Sequence, residues 1–207
     1  MEKTDILSYI LIFMICAISL KIYTESDYFN LKCVVSEKDG NKYCVRDREN
    51  LVGSTDLLAL VTERCIKMKD HLSEKYDVDS FNENDSNIKG GIKRLVTKFK
   101  PNKIVEILPS SEHTAYSENK GEKLAFCLTE TKQGGKLVDI NTLTFVALHE
   151  LAHIMTLSVG HTDEYWKNFK FLLAEGSKID LYDPIDYKEK PQNYCGMEIT
   201  DNPLYDY

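Results

Sequence analysis

The sequence predicts an α+β fold, a short sheet beside a buried helix, with a separate apolar helix in front. Three observations carry this reading. An almost unbroken apolar run, ILSYILIFMICAISL, occupies residues 6–20. Short strand-like runs, KIVEIL at 103–108 and KLAFCL at 123–128, are bounded by Pro101, Pro109 and the Gln133-Gly134-Gly135 turn. A long apolar segment after Asp139 recurs with helical period and contains His149-Glu150-Leu151-Ala152-His153.

The chain has 207 residues, 43% of them hydrophobic. That length suits one ordinary domain with extensions. Acidic residues outnumber basic ones, 33 against 26. With no basic stripe, no nucleic-acid partner is expected.

Residues 1–24 read as a transmembrane anchor. Extended to Tyr23 with Lys21 as a snorkelling flank, the apolar stretch reaches roughly 18 residues, near the lower limit for a bilayer span. A cleaved signal peptide is the competing reading, disfavoured because Met1-Glu2-Lys3-Thr4-Asp5 is not net basic. The expectation is a single-pass location in a host or virion membrane. Lys21, Lys32 and Lys38 lean toward a cytoplasmic C-terminal side.

Residues 25–87 form a hairpin and helix extension. The hairpin covers 29–47 and turns at Asp39-Gly40. Cys33 and Cys44 flank this turn, where they either face each other as a disulfide or remain free thiols. Ser54 or Thr55 caps a helix on which Leu57, Leu58, Val61, Cys65, Met68 and Leu72 recur to about Tyr76. Residues 77–87 are a polar loop.

Residues 88–178 form the core unit. Ile88, Ile92, Leu95, Val96 and Phe99 mark a helix stopped by Pro101. Strands follow at 103–108 and 123–128, separated by a polar loop at 110–121, with a third short strand at 136–139. Asp139 or Asn141 caps the next helix, which runs to about Ser158 and is stopped by Gly160. Thr162 caps another, with Tyr165, Trp166, Phe169, Leu172 and Leu173 on its apolar face and Gly176 at its end. Residues 179–207 are a polar surface tail that Tyr182, Tyr187 and Tyr194 pin down.

His149 and His153 stand four apart on a helix, so both rings leave one face, about 6 Å apart along the axis. That spacing lets two neutral imidazoles share one zinc ion. Glu150 adjoins the first ligand and is placed to take a proton from a zinc-activated water. His161 follows the Gly160 reversal and is the expected third ligand, with Glu175 as the rival. His71 falls on a polar helix edge and reads as solvated. His113 and Tyr116 lie in the loop between the two strands, where either can approach the cleft.

The segment HELAHIMTLSVGHTDEYWKNF at 149–169 resembles the WLM and SprT-like group of zinc peptidases. These carry H-E-x-x-H followed by H-x-x-x-[FY]-W, matched here by His161 and Tyr165-Trp166. The histidine spacing is two residues longer than is usual in WLM proteins, as in a divergent relative. The resemblance implies a minimal zincin-like core, zinc as cofactor, His149, His153 and His161 as ligands, and Glu150 as catalytic base. LKCVVSEKDGNKYCVRDR at 31–48 and NYCGMEITDNP at 193–203 resemble uncharacterised membrane-anchored peptidases of large DNA viruses.

The expected function is a membrane-tethered zinc metallopeptidase acting on a protein or peptide substrate. Residues 123–128 are expected to be the sheet edge that takes substrate by strand addition, an expectation that fails if this strand lies in the sheet centre. The alternatives are a catalytically silent zinc-binding structural or virion membrane protein, and a zinc hydrolase of a non-peptide amide.

Overall fold

The structure is a computed structural model that describes residues 3–25 and 31–206. Residues 1–2 of the expected anchor and residues 29–30 of the expected hairpin lie outside the described residues. The chain divides into two compact units, 1–31 and 32–207.

Among the described residues the first unit holds one helix, α1 (Lys3–Glu25). Its apolar side chains from Tyr9 to Tyr23 are exposed on all sides. The expected transmembrane anchor is overturned: among the described residues, no helix is long and apolar enough to cross a membrane. The uninterrupted apolar run at 6–20 spans only roughly 22 Å of helix axis at 1.5 Å per residue, against a hydrocarbon core of about 30 Å. Charged residues close it off at Asp5 and Lys21. The single-pass membrane location falls with it. The α+β class stands.

The second unit starts within a hairpin, β1 (Leu31–Val35) and β2 (Lys42–Arg46), of which all but Leu31 belong to it. The Cys33–Cys44 disulfide joins its strands. Helix α2 (Leu51–Lys75) begins earlier than expected, capped by Asn50. Ser54 and Thr55 lie inside it, and their hydroxyls donate back to the Asn50 and Leu51 carbonyls. Helix α3 (Ile88–Lys98) is capped by Asn87 and ends before Pro101.

Strands β3 (Ile104–Glu106), β4 (Ala115–Glu118) and β5 (Lys123–Phe126) form a mixed sheet in the order β3-β5-β4. Strand β5 is central, parallel to β3 and antiparallel to β4. Strands β6 (Thr129–Thr131) and β7 (Gly134–Leu137) make a small hairpin.

Helix α4 (Ile140–Met155) is the axis of the core, capped by the Asp139 carboxylate accepting from Thr142 N at 2.9 Å. Leu143, Leu148, Leu151, Ala152, Ile154 and Met155 are fully buried on it. Helix α5 (Asp163–Lys178) packs alongside. Gly176 is inside α5 rather than at its end. An added Cβ there would come within 3.2 Å of Leu148 and 3.3 Å of Met68.

The last thirty residues do more than cover a surface. They form a third small hairpin, β8 (Gln192–Tyr194) and β9 (Met197–Ile199). Tyr182, Tyr187 and Tyr194 are buried. The Phe145 ring meets Phe169 at 5.2 Å and Tyr187 at 4.8 Å, edge on, so the tail closes the α4–α5 core. A second disulfide, Cys127–Cys195, ties the hairpin to the end of β5.

Candidate metal centre

The site grows from α4. His149 and His153 leave one face of the helix with ring centroids 5.0 Å apart. After Met155 the chain leaves the helix, and at Gly160 it adopts φ +85° with open space around it. A side chain would be strained in that left-handed conformation. The reversal brings His161 back, its ring 5.0 Å from those of both His149 and His153. One ring nitrogen from each histidine lies within 4.8 Å of those of the other two. Nε2 of His161 and Nε2 of His149 are 3.1 Å apart.

These residues fit a zinc ion. Two imidazole nitrogens on a tetrahedral zinc, each about 2.05 Å from it, stand about 3.3 Å apart. Burial, followed by the charges of its two histidine neighbours, pulls the His149 pKa down to about 3. Burial, then His161 and Lys120, pulls His153 down to about 4. Both rings are therefore held neutral, the form that binds metal.

Glu150 is buried on the adjoining edge of α4, and burial pushes its carboxyl up to about 8. A dication beside it would favour the ionised form and reverse that shift. Tyr165 stacks on His153, with centroids 4.4 Å apart and planes 29° apart. Its hydroxyl is buried with no hydrogen-bond partner among the described residues.

The loop that carries His161 is tied down from three sides. Arg94, buried on α3, donates from Nε to the Met155 carbonyl at 2.7 Å and pairs with Glu164 at 3.2 Å. Glu164 accepts from the backbone N–H of Leu157 at 3.1 Å and from the Ser158 hydroxyl at 3.2 Å. Lys120, from the β4–β5 turn, donates to the carbonyls of Thr156 and Ser158 at 2.8 and 2.7 Å. Motif reading passed over the Arg94 and Lys120 contacts because they reach backbone groups distant in sequence, and the Glu164 contacts because they fall in an irregular loop six and seven residues before it.

The other candidates divide. Glu175 is not among the converging ligands. Its buried carboxylate accepts from Lys75 at 2.5 Å and Lys178 at 2.8 Å, and meets His71 at 2.9 Å. His71 is accordingly paired and partly buried rather than freely solvated. His113 and Tyr116 line the same open cleft as the three histidines, their rings 5.9 Å apart. The expectation that residues 123–128 form the substrate edge is overturned, because β5 is the central strand. The edge facing the cleft is β4, within the stretch expected to be a loop, and Ala115, Tyr116 and Ser117 line the cavity with Glu150.

The fold and the site thus define an α+β protein with a three-histidine, one-glutamate centre. Over 191 residues the chain is 29% identical to "Uncharacterized protein R325" of Acanthamoeba polyphaga mimivirus, a match spanning 92% of this chain and 91% of that protein. It is 35% identical over 95 residues to "Uncharacterized protein 136R" of Invertebrate iridescent virus 6. It is 36% identical over 97 residues to "Uncharacterized protein 042R" of Invertebrate iridescent virus 3. The chain spans about half the length of these last two, 52% and 54%. All three are viral proteins, which supports a viral character for this chain. No family model matches the sequence, and no solved structure matches the fold.

Proposed function

We propose that this protein is a zinc-dependent peptidase. The observation that carries the reading is the convergence of His149, His153 and His161 on one point, with Glu150 beside them on the wall of an open cleft. His149, His153 and His161 would hold the ion. When bound, zinc polarises a carbonyl and lowers the pKa of water to about 7. Glu150 accepts the proton of the attacking water and passes it to the leaving amine. Among the described residues strand β4 pairs with β5 on one side only, which leaves its other edge to hydrogen-bond an extended peptide. Three ligands and an open cleft suit a catalytic site better than a structural one, which is closed by a fourth ligand.

The test is zinc content by elemental analysis, with peptidase assays, on wild type and Glu150→Gln. Both proteins are expected to hold one zinc per chain. The variant is expected to lose about 10²–10⁴-fold in turnover. Zinc in both with no cleavage across a broad peptide panel would favour a silent zinc protein. Cleavage confined to non-peptide amides would favour the third class.

A further inference from the structure

A second cavity, of about 260 Å³, adjoins the histidine cleft at His149 and Glu150. The two cavities share Thr114, Ala115, His149, Glu150 and Met197. Their chemistry differs. The cleft carries Glu112, Asn119 and Lys120 among its walls. The second cavity is built on Phe145 and Val146 of α4 and Trp166 and Phe169 of α5, and closed by Met197 and Ile199 of the C-terminal hairpin. Carboxylates enter its lining at Glu198 and Asp201, both exposed.

We infer that this cavity receives a large apolar side chain of the substrate, on a residue flanking the bond that Glu150 helps to cut. The inference rests on the peptidase reading and names its substrate class: peptides with Phe, Leu or a similar residue at that position. A peptide laid along β4 passes Ala115, which lines both cavities, so one of its side chains falls into the apolar one. The aromatic walls favour a bulky apolar group. Glu198 and Asp201 disfavour an acidic one by like-charge repulsion.

Trp166 is the sole tryptophan and lines this cavity, so its emission reads occupancy without any need for turnover. The full chain, zinc-loaded and carrying Glu150→Gln so that peptides stay intact, is titrated with blocked tetrapeptides that differ at one position, Phe, Leu, Ala or Asp. Phe and Leu peptides are expected to shift the emission at concentrations lower than Ala by on the order of 10–100-fold, with Asp weakest. Val146→Phe, which fills the cavity, and Met197→Glu, at an exposed position that tolerates replacement, are each expected to abolish the preference at unchanged zinc content. Wild type should then cleave the same peptides in the same order.

Equal response to Phe and Ala, or a preference that survives both substitutions, overturns the pocket. Cleavage without preference overturns it too while leaving the peptidase reading intact. Preferential binding with no cleavage of any peptide keeps the pocket and removes the peptidase reading.

Discussion

Glu164 holds two things at once. Its carboxylate accepts from the backbone N–H groups of Leu157 and Ser158, and it neutralises the buried guanidinium of Arg94. The first interaction ends on the loop between Met155 and Thr162, the second on Arg94 of α3, which itself donates to the Met155 carbonyl where that loop begins, and the loop returns His161 to the helix face. Removing the carboxylate leaves Arg94 with its carbonyl partners only and the loop backbone free to drift. Groups that orient metal ligands are typically worth 10–100-fold in affinity. Glu164→Gln is therefore expected to weaken zinc binding by about 10-fold, measured by competition with a chelator. His161→Ala, which removes a proposed ligand outright, should weaken it further. Equal zinc affinity in wild type and Glu164→Gln would show that the loop holds His161 without this carboxylate.

At the scale of elements, the C-terminal hairpin is the piece whose role depends most on a covalent tie. Cys195 and Gly196 both have positive φ, 53° and 81°, the two-residue turn geometry that matches strand twist. Cys195 N–H donates to the Thr129 carbonyl at 3.0 Å, and Gly196 N–H to that of Glu130 at 2.8 Å. Tyr194 accepts from Cys127 N–H and donates to the Thr114 carbonyl. The Cys127–Cys195 bond closes a separation of 68 residues. By loop-closure entropy this stabilises the fold by about 4 kcal/mol, an upper figure. The double variant Cys127→Ser, Cys195→Ser should lose up to that amount in a denaturant titration, and reducing wild type should cost more, because it also breaks Cys33–Cys44. Loss of less than about 1 kcal/mol would mean that the hydrogen bonds alone hold the hairpin.

This hairpin also marks where sequence reading stops. Helices α3, α4 and α5 were legible because their apolar residues recur at helical spacing and because Asp139 and Thr162 advertise their caps. The four-residue spacing of His149 and His153, and the glycine before His161, were legible for the same local reason. Strand β4 was not, because it is a half-exposed edge with little apolar alternation. A polar stretch of that kind has the composition of a loop, and only pairing with β5 makes it a strand. The Cys127–Cys195 bond and the apolar cavity depend on residues far apart in the chain, which no local pattern records. The N-terminal run failed differently. Its composition is that of a membrane span, but its length between flanking charges is not.

For the whole molecule, the buried groups of the proposed metal centre make stability depend on pH in two opposed ways when zinc is absent. His149 and His153 titrate at about 3 and 4 in the fold, against 6.5 for a free histidine. Above pH 6.5 they are neutral in both states. As pH falls below 6.5 the unfolded chain takes up protons that the folded site refuses, so stability falls toward acid, until the folded rings themselves protonate near pH 4 and 3. Glu150 acts in the other sense. Its folded pKa is about 8 against 4.5 unfolded. Between those values the unfolded chain ionises and the fold does not, so stability falls as pH rises toward 8. From these three groups, the metal-free protein is expected to be most stable at about pH 6.5, where proton uptake by the two unfolded histidines balances that by folded Glu150. Zinc removes the alkaline limb, because a dication favours both the neutral rings and the ionised carboxylate, and binding only the folded state adds stability by mass action. The zinc-induced rise in Tm should thus grow from pH 5.5 to pH 8. Thermal melts with chelator and with excess zinc across that range measure it. A zinc effect that is constant with pH, or that shrinks toward pH 8, would mean that the ion does not sit among these residues.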